Sequence, residues 1–500
     1  MVEKSVSDMI PDDEILTWKD DDCITISAGT GKGKSYFAKN KLYEIAKTNN
    51  RKILFLVHRN NCLTQFENEV KQENKQDIID IKTYQLIEHR EVNDCNINLS
   101  EYDYIVCDEF HYFLDDIWND CKDMSLEKIL KCQSVKIFMS ATGDNMLDYL
   151  NNYRNIKTKD YDCGISYDFI ESLNFYFKDI QLETIIKNIV KDNIKGILFS
   201  NDLGKALELY NIYREYSIFN CSKSNTKYYK YVNEKKINEM LDREKFSENL
   251  LITSSAMDSG VTIKDEQVKV IIADIRDTNC LIQCIGRKRQ LNQDDKIVLY
   301  INSISNQKLG GLRTATHNRI ESGRYLLENG VNAYIQKYGR SRDNKLKEIV
   351  YNDLDDDGNP TVKLNDLVYR KNISYLKEID YILSLTDENG EKDKYAYCKY
   401  ISKKLNKQEY KYTEYQEEAK NIKEYLDNLT NEELDKESQR DLVNMVGLKD
   451  RKGRLLKSIG IIDAYLAENY NKEIKSIRKT KDKRKHAFWI IENIKKPGIS

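Results

Sequence analysis

Short apolar runs alternate with longer amphipathic stretches in the first part of the chain. Up to residue 145, five runs have the length and the β-branched composition of strands: Cys23–Ser27, Ile53–Val57, Ile78–Lys82, Asp103–Asp108 and Val135–Ser140. Helix-like or loop segments separate most of them, which is the order expected of a parallel sheet covered by helices on both faces. We therefore predict a first α/β domain over residues 1–148.

A second series of such runs follows. Its candidate strands are Phe169–Phe177, Gly196–Ser200, Tyr216–Asn220, Leu250–Thr253, Val268–Ala273 and Ile297–Ile301. The same alternation predicts a second α/β domain in tandem with the first, over residues 149–308.

Beyond residue 308 the strand pattern fades. Charged segments with apolar residues at helical spacing take over at Ile320–Tyr338, Tyr415–Leu429 and Ile461–Ile477. We predict a mostly helical accessory domain over residues 309–500.

An Asp-rich segment, Asn352–Thr361, is predicted to interrupt these helices because it carries Gly358 and Pro360. It begins like a calcium-binding EF-hand loop, but position 12 of such a loop needs a bidentate Glu and here is Leu364. The segment is therefore predicted to be a turn.

The composition fits a protein of two or three packed domains, since the 500 residues are 40% apolar and single cores stop growing at roughly 250–300 residues. Lys and Arg (80) nearly balance Asp and Glu (82), so the net charge of −2 says little about partners. Residues 471–500 are an exception because they are strongly basic. This basic segment is either a solvated surface or a phosphate-binding patch.

We expect a cytoplasmic protein with no membrane contact. No apolar run approaches the roughly 20 residues of a membrane span, and the first residues lack the apolar core of a secretory signal. The 11 cysteines are odd in number and scattered, which favours reduced thiols. Cys280 and Cys284 have no second ligand pair at zinc-binding spacing, so we predict no structural zinc.

A glycine-rich loop follows the first predicted strand and precedes a helix-forming stretch. Its sequence over residues 27–35 is Ser-Ala-Gly-Thr-Gly-Lys-Gly-Lys-Ser. In this setting glycines let backbone N–H groups point at phosphates, a Lys neutralises the β- and γ-phosphates, and a Ser hydroxyl holds Mg²⁺. The candidate nucleotide-binding residues are Gly29, Thr30, Gly31, Lys32, Gly33, Lys34 and Ser35.

An acidic pair closes the strand that ends near residue 108. Asp108 and Glu109 lie at its carboxyl end, where ligands bind in open α/β sheets. Asp108 is a candidate for holding Mg²⁺ together with Ser35, and Glu109 is a candidate base for the water that attacks the γ-phosphate.

Together these motifs resemble those of superfamily 2 helicases of the DExH branch. Residues 28–35 are similar to motif I, Asp108-Glu-Phe-His111 to motif II, Ser140-Ala-Thr142 to motif III, and residues 56–59 to motif Ia. The second predicted domain carries sequences similar to motif IV (197–201), motif V (253–260) and motif VI (283–289). The resemblance implies two RecA-like domains that clamp ATP between them and grip a nucleic-acid strand.

The resemblance also implies roles for individual residues. Glu109, Gln283 and Arg287 would be catalytic, with Arg287 as the first choice for an arginine finger. Gly260 and Arg289 would approach the nucleotide, and His111, Ser140 and Thr142 would couple ATP state to strand grip. The implied nucleic-acid-binding residues are His58, Arg59, Thr83, Ser200, Thr253 and Ser254.

The sequence departs from the family pattern at several points. Cys284 replaces an Arg that is common in motif VI, and Arg289 lies one residue before the usual second finger, where Gln290 stands. No Gln-centred adenine-recognition motif precedes Ala28. The motifs cover residues 26–290, and the remaining residues resemble no family.

Three functions are compatible with these residues. The first is a helicase or translocase using ATP and Mg²⁺ on DNA or RNA. The second is a nucleic-acid-dependent ATPase switch that recruits partners through the carboxyl-terminal region without unwinding. The third is a P-loop ATPase acting on other substrates. For the carboxyl-terminal aromatic residues, helical packing is favoured over a strand-guiding surface; these residues are Tyr395, Tyr397, Tyr400 and Trp489.

Overall fold

The computed structural model describes residues 5–494 apart from 30, 59, 93–96, 116–120, 256–260, 340–348, 356, 414–418, 449–454 and 482–483. The chain divides into two compact units, residues 1–413 and residues 414–500, each with many contacts within itself. The domain bounds 1–148, 149–308 and 309–500 stay predictions.

The first lobe contains a six-stranded sheet in which every pair is parallel, in the order β3-β2-β4-β5-β1-β6. Its strands are β1 Cys23–Ser27, β2 Ile53–Val57, β3 Ile79–Thr83, β4 Tyr104–Asp108, β5 Val135–Ser140 and β6 Thr158–Asp162. The five predicted strands are thus confirmed to within one residue. The sequence analysis missed β6 because this edge strand, Thr-Lys-Asp-Tyr-Asp, is polar and partly exposed.

Helices cover both faces of this sheet, and a separate buried apolar cluster lies on each face. They are α1 Val6–Met9, α2 Asp12–Ile15, α3 Lys34–Tyr36, α4 Tyr43–Thr48, α5 Asn60–Gln72, α6 Tyr84–Val92, α7 Tyr112–Asp115, α8 Lys122–Leu130 and α9 Asp144–Asp148. Short π-helical segments join α3 to α4 (Phe37–Leu42) and follow α9 (Tyr149–Tyr153), and a 3₁₀ turn spans Leu99–Glu101.

The second lobe repeats this architecture with a parallel sheet in the order β15-β7-β12-β11-β8-β10-β9. Its strands are β7 Ile170–Tyr176, β8 Lys195–Ser200, β9 Ser217–Asn220, β10 Leu250–Thr253, β11 Val268–Asp274, β12 Ile297–Asn302 and the late edge strand β15 Lys411–Tyr412. Its helices are α10 Asp179–Lys191, α11 Leu203–Ile212, α12 Thr226–Tyr229, α13 Glu234–Arg243 and α14 Thr278–Ile285. Two tandem RecA-like sheets are therefore confirmed.

The chain between the second lobe and residue 413 is helical with one hairpin. It contains α15 Asn306–Tyr338, the antiparallel strands β13 Val350–Leu354 and β14 Pro360–Leu364, α16 Asp366–Ser384 and α17 Ala396–Lys404. The predicted break at 352–361 is the turn of this hairpin, where the Asp355 carboxylate accepts a hydrogen bond from the Asn359 backbone at 2.7 Å. Tyr397 and Tyr400 are buried in the core of the second lobe, in agreement with the packing interpretation.

The unit from residue 414 onward combines helices with a three-stranded antiparallel sheet, β16-β18-β17. Its elements are α18 Ala419–Asn428, β16 Glu433–Leu434, α19 Lys436–Val446, α20 Ile459–Tyr470, β17 Lys472–Lys481 and β18 Arg484–Asn493. The helix predicted over Ile461–Ile477 is wrong in its second half. Asn471 adopts a left-handed conformation with φ 55° that ends α20, and the alternating polar and apolar residues after it form β17.

Within the described part of the chain, no helix is long and apolar enough to cross a membrane. The described cysteines have free thiols, and several of them are buried, including Cys107 and Cys284. Burial raises the pKa of the Cys23 thiol to about 11, so this thiol is protonated at neutral pH.

Two glycines of α15 allow a matched test of packing. A Cβ atom at Gly323 would lie 2.8 Å from side-chain carbons of Ile349 and Tyr369, whereas a Cβ at Gly311 would meet nothing within 4 Å. We expect Gly323→Ala to lower the free energy of unfolding by about 1–3 kcal/mol through overpacking. Gly311→Ala should raise it by up to about 1 kcal/mol through helix propensity. Thermal denaturation followed by circular dichroism would measure both, and equal shifts would contradict the tight packing at Gly323.

Candidate functional site

The glycine-rich loop between β1 and α3 has the shape of an anion-binding loop. Gly31 and Gly33 have φ angles of 88° and 83°, which side chains with a Cβ rarely adopt, so glycine is needed at both turns. Lys34 is only 8% exposed, and its Nζ donates to the Ala28 carbonyl oxygen at 2.8 Å. The ammonium group is thus held inside the loop. Thr30 lies outside the described residues.

The two predicted acidic residues meet this loop from the end of β4. Asp108 is the last residue of the strand, and Glu109 follows it with φ 50°. A left-handed glutamate is uncommon and is a form of backbone strain that persists where the surroundings enforce it. Asp108 Oδ1 and Glu109 Oε2 are buried without a hydrogen-bond partner among the described residues.

The surroundings shift the pKa values of the two carboxylates in opposite directions, although Lys34 and Arg287 lower both. Burial and the neighbouring Glu109 raise the pKa of Asp108. Burial also opposes charge on Glu109, but the positive charges of Lys34 and Arg287 outweigh it and lower the pKa of Glu109. Glu109 is ionised and is therefore suited to act as a base. Asp108 Oδ1 has no hydrogen-bond partner among the described residues, so a cation bound there would stabilise its charge.

Two arginines of the second lobe point toward the same place. Arg287 is 6% exposed, and its Nε has no hydrogen-bond partner in the described chain. Arg289 Nη1 is likewise buried and without such a partner, and it lies 3.5 Å from where a Cβ of Gly31 would stand. Burial and the nearby Arg287 lower the pKa of Arg289 to about 10. Buried charged nitrogens that lack a hydrogen-bond partner are costly, so this site is complementary to a polyanion.

An extended backbone explains why both arginines face the loop. Ile263 donates its N–H to the Arg287 carbonyl at 2.8 Å, and Arg289 donates to the Ile263 carbonyl at 2.9 Å. Side chains alternate along such a segment, so residues 287 and 289 share one side. Lys288 points to the other side and forms a buried ion pair with Asp295. Arg289 is thus directed toward the loop, and Gln290, which lines the second cavity, is exposed; the assignment of a second arginine finger stays a prediction.

Residues of both lobes line the resulting cavities. One cavity of about 270 Å³ is lined by Ser35, Asp108, Glu109, His111, Thr262 and Arg287, among others. A second, of about 220 Å³, is lined by Gly29, Gly31, Ile165, Tyr167, Gly286 and Arg289, among others. Gln283 and Arg289 line both. Ile165 and Tyr167 were not predicted to line the site, because the short loop between β6 and β7 that carries them matches no motif.

A buried hydrogen-bond network joins the lobes at Gln283. Its Nε2 lies 2.7 Å from His111 Nε2 and donates to Thr142 Oγ1 at 3.1 Å. Because an amide nitrogen can only donate, His111 Nε2 accepts and the ring proton lies on Nδ1. That nitrogen is 2.8 Å from Ser140 Oγ, which also accepts from the Thr142 N–H at 3.0 Å. The network therefore brings together all three predicted coupling residues and Gln283.

The predicted strand-binding residues lie at the carboxyl ends of β2, β3, β8 and β10. Several of their hydroxyls already have local partners. Thr83 Oγ1 accepts from the Leu86 N–H at 3.2 Å, Ser200 Oγ accepts from the Asp202 N–H at 3.1 Å, and Thr253 is fully buried. Ser254 is also buried, and His58 is partly exposed. Arg59 lies outside the described residues, as does Gly260 of the predicted nucleotide-binding set, and the strand-binding assignment stays a prediction.

Residues 3–145 match the family described as type III restriction enzyme, res subunit. This family is of the superfamily 2 helicase type, and the match covers the phosphate-binding loop and the segments similar to motifs I to III. The motif I to III resemblance is thereby confirmed for this lobe. No curated protein matches the sequence.

Solved structures similar to the chain include Saccharomyces cerevisiae Dbp5 bound to RNA and ADP BeF3, with 14% identity and a TM-score of 0.43 over 57% of this chain and 79% of that chain. The DEAD-box helicase Mss116 bound to ssRNA and UDP-BeF has 15% identity and a TM-score of 0.44 over 68% and 84%. Mycobacterium smegmatis helicase Lhr bound to ssDNA and AMP-PNP has 12% identity and a TM-score of 0.42 over 72% and 58%. Likeness at this level does not by itself say what this chain binds.

The matched residues 3–145 include the short helix α1, which was not predicted to contact the glycine-rich loop. Val6 donates its N–H to the Lys32 carbonyl at 3.0 Å, so α1 is attached to the glycine-rich loop. A capping box between Ser5 and Asp8 fixes the start of α1. The S-x-x-D pattern of a capping box could have predicted the start of α1 from the sequence.

The interlobe network can be tested by a double-mutant cycle on ATP turnover. We expect His111→Ala and Gln283→Ala each to lower kcat/KM, because each leaves a buried partner unsatisfied. The double variant should show a coupling free energy of about 0.5–3 kcal/mol, as contacting residues do. Additive effects of the two substitutions would contradict a direct interaction across the seam.

Proposed function

We propose that the chain is an ATP-dependent nucleic-acid helicase or translocase, which couples ATP hydrolysis to movement on, or unwinding of, DNA or RNA. One observation carries the proposal: the loop of the superfamily 2 domain and the arginines of the second lobe surround one seam that is complementary to a polyanion. The family match over residues 3–145 supports the choice of a nucleoside triphosphate as that polyanion.

The phosphate loop would bind the triphosphate. Its backbone N–H groups and the Lys34 ammonium neutralise phosphate charge at the start of a helix. Ser35 and Asp108 would hold Mg²⁺, because both line the same cavity and Asp108 Oδ1 is buried without a partner in the described chain. Bound there, Mg²⁺ supplies charge neutralisation between the phosphates. The nucleotide-binding set further includes Gly29, Gly31, Lys32, Gly33 and Arg289, together with Thr30 and Gly260 from the motifs alone.

Glu109 would act as the general base. Its ionised carboxylate lines the cavity and can accept a proton from the water that attacks the terminal phosphate. His111 Nδ1 lies 3.4 Å from Glu109 Oε2 but forms no hydrogen bond with it, so this oxygen is available to the water. Arg287 and Arg289 would stabilise the charge that grows on the phosphate oxygens during transfer.

Coupling would pass through Gln283. This residue lies on α14, immediately before the two arginines, and bonds to His111 and Thr142 of the first lobe. Closing the seam therefore completes the arginine arrangement and the network together. A strand gripped at the carboxyl ends of both sheets, by residues such as His58 and Ser254, would favour the closed state and stimulate hydrolysis.

The first test measures ATP turnover with single- and double-stranded DNA and RNA. Glu109→Gln keeps the size of the side chain but removes its basicity, so we expect turnover to fall by roughly 10²- to 10⁴-fold with nucleotide binding retained. Lys34→Ala should abolish both ATP turnover and nucleotide binding, because it removes the charge that neutralises the phosphates. Hydrolysis that no nucleic acid stimulates would contradict the helicase proposal while leaving an ATPase. Strand displacement by the isolated chain would separate a helicase from a switch.

A second test concerns the two arginines. We expect Arg287→Ala and Arg289→Ala each to lower kcat by roughly 10³-fold or more, with smaller effects on KM, because an arginine finger acts on the transition state. Gln290→Ala tests the family's usual second position; because Gln290 is exposed at the edge of the second cavity and is uncharged, its kcat should fall far less than that of Arg289→Ala. A loss with Gln290→Ala but not with Arg289→Ala would refute the assignment of Arg289.

A further inference from the structure

The carboxyl-terminal unit contains an open cavity of about 410 Å³ that is remote in sequence from every motif. We call it the Trp489 cavity. It is lined by Lys436, Gln439, Arg440, Val443, Asn444, Lys457 and Trp489. Three of these residues are cations, two are amides and one is an indole.

The helix α19 builds one wall of the Trp489 cavity. Its lining residues occupy positions i, i+3, i+4, i+7 and i+8 from Lys436 to Asn444, which form one stripe of a helix. Leu442 and Val446 are buried in the core of the unit and anchor the helix. The lining side chains are therefore presented by a fixed surface.

The opposite wall is the sheet. Trp489 lies on β18, is only partly exposed, and pairs with Leu434 of β16 and Ser476 of β17. Gln439 ties the helix to this strand, because its Nε2 donates to the Leu434 carbonyl at 2.9 Å and to the Ala487 carbonyl at 3.1 Å. The indole is thus held in place before any ligand binds.

The cations of the Trp489 cavity differ from the other lysines of this unit. Lys472 pairs with Asp427 at 2.8 Å, Lys475 pairs with Glu492 at 2.6 Å, and Lys479 pairs with Glu433. Lys436, Arg440 and Lys457 are exposed and pair with no carboxylate in the part of the chain that the structure describes. Their charge is available for a ligand.

The basic character continues along the same face of the hairpin. Residues directly opposite in an antiparallel pair share a face, so Ser476 and Trp489 share one with the next pair, Arg478 and Ala487. Arg478 is exposed. One further cation therefore lies on the face of the sheet that carries Trp489.

We propose that the Trp489 cavity binds one unpaired nucleotide of a single-stranded nucleic acid. A base would stack on Trp489, the amide oxygen of Gln439 and the amide of Asn444 would meet its edge, and the flanking phosphates would contact Arg440, Lys436 and Lys457. This inference rests on the proposed function, since it gives the same substrate a second contact outside the two lobes. An acidic peptide would use the cations but would leave the indole and the amides without a role.

The experiment measures binding of a fluorescent single-stranded oligonucleotide to the full chain by anisotropy at several salt concentrations. We expect Arg440→Gln/Lys457→Gln to weaken binding by about tenfold and to reduce the salt slope by about 1.4, at roughly 0.7 per lost phosphate contact. Lys423→Gln is the matched control, because Lys423 is exposed on α18 away from the cavity lining. Its affinity and slope should equal those of the wild type.

Stacking is tested with two replacements that preserve apolar packing at position 489. Trp489→Leu should weaken single-strand binding by roughly 5- to 150-fold, whereas Trp489→Phe should keep most of the affinity. The part of the tryptophan emission that Trp489→Phe removes should be quenched by the oligonucleotide. Equal affinities of the Leu and Phe variants, no quenching, or equal competition by poly-glutamate would overturn the proposal.

The two levels of proposal fail in different ways. If ATP turnover is stimulated by single strands but the Arg440→Gln/Lys457→Gln variant keeps wild-type affinity and half-stimulating concentration, the Trp489 cavity is not a strand site and the helicase proposal stands. If no nucleic acid stimulates turnover in any form of the protein, the proposed function itself fails.

Discussion

Positive charge buried at the seam of the two lobes is the constraint on which the rest of the site depends. Lys34, Arg287 and Arg289 face Asp108 and Glu109, and Arg287 Nε and Arg289 Nη1 are buried without a hydrogen-bond partner among the described residues. Partial neutralisation by the carboxylates is not enough to satisfy three cations. A polyanion that enters the seam would therefore stabilise the observed arrangement of the two lobes.

The same constraint accounts for the local backbone. Glu109 must turn back toward the loop immediately after β4, and it does so in a left-handed conformation that costs energy. Opposite it, the bridge between Ile263 and residues 287–289 sends both arginines inward and Lys288 to its own buried partner. The left-handed backbone of Glu109 in the first lobe and the extended backbone of residues 287–289 in the second lobe therefore direct their charged side chains to the same site.

How much of this could be predicted depends on the kind of signal. The buried strands were predicted to within one residue because apolar β-branched runs of that length have few alternatives, and the phosphate loop because its glycines are needed for its turns. The edge strand β6 and the hairpin after Asn471 were missed because exposed strands carry little hydrophobic pattern. The position of Arg289 depends on a pairing with Ile263, which is distant in sequence and leaves no mark in the motif.

The helix α16 shows how closure of the seam is linked to the rest of the first unit. Leu367, near its start, is buried in the core of the first lobe, and Arg370 lies over the Tyr153 ring at 4.1 Å. Near its other end, Ile382 is buried in the core of the second lobe. Glu378 accepts a hydrogen bond at 2.7 Å from Thr278, the first residue of the helix that carries Gln283. Because one rigid helix is packed into both cores, the lobes cannot separate without losing contacts at one of its ends, and the arginine-bearing segment is held at the seam by packing as well as by charge.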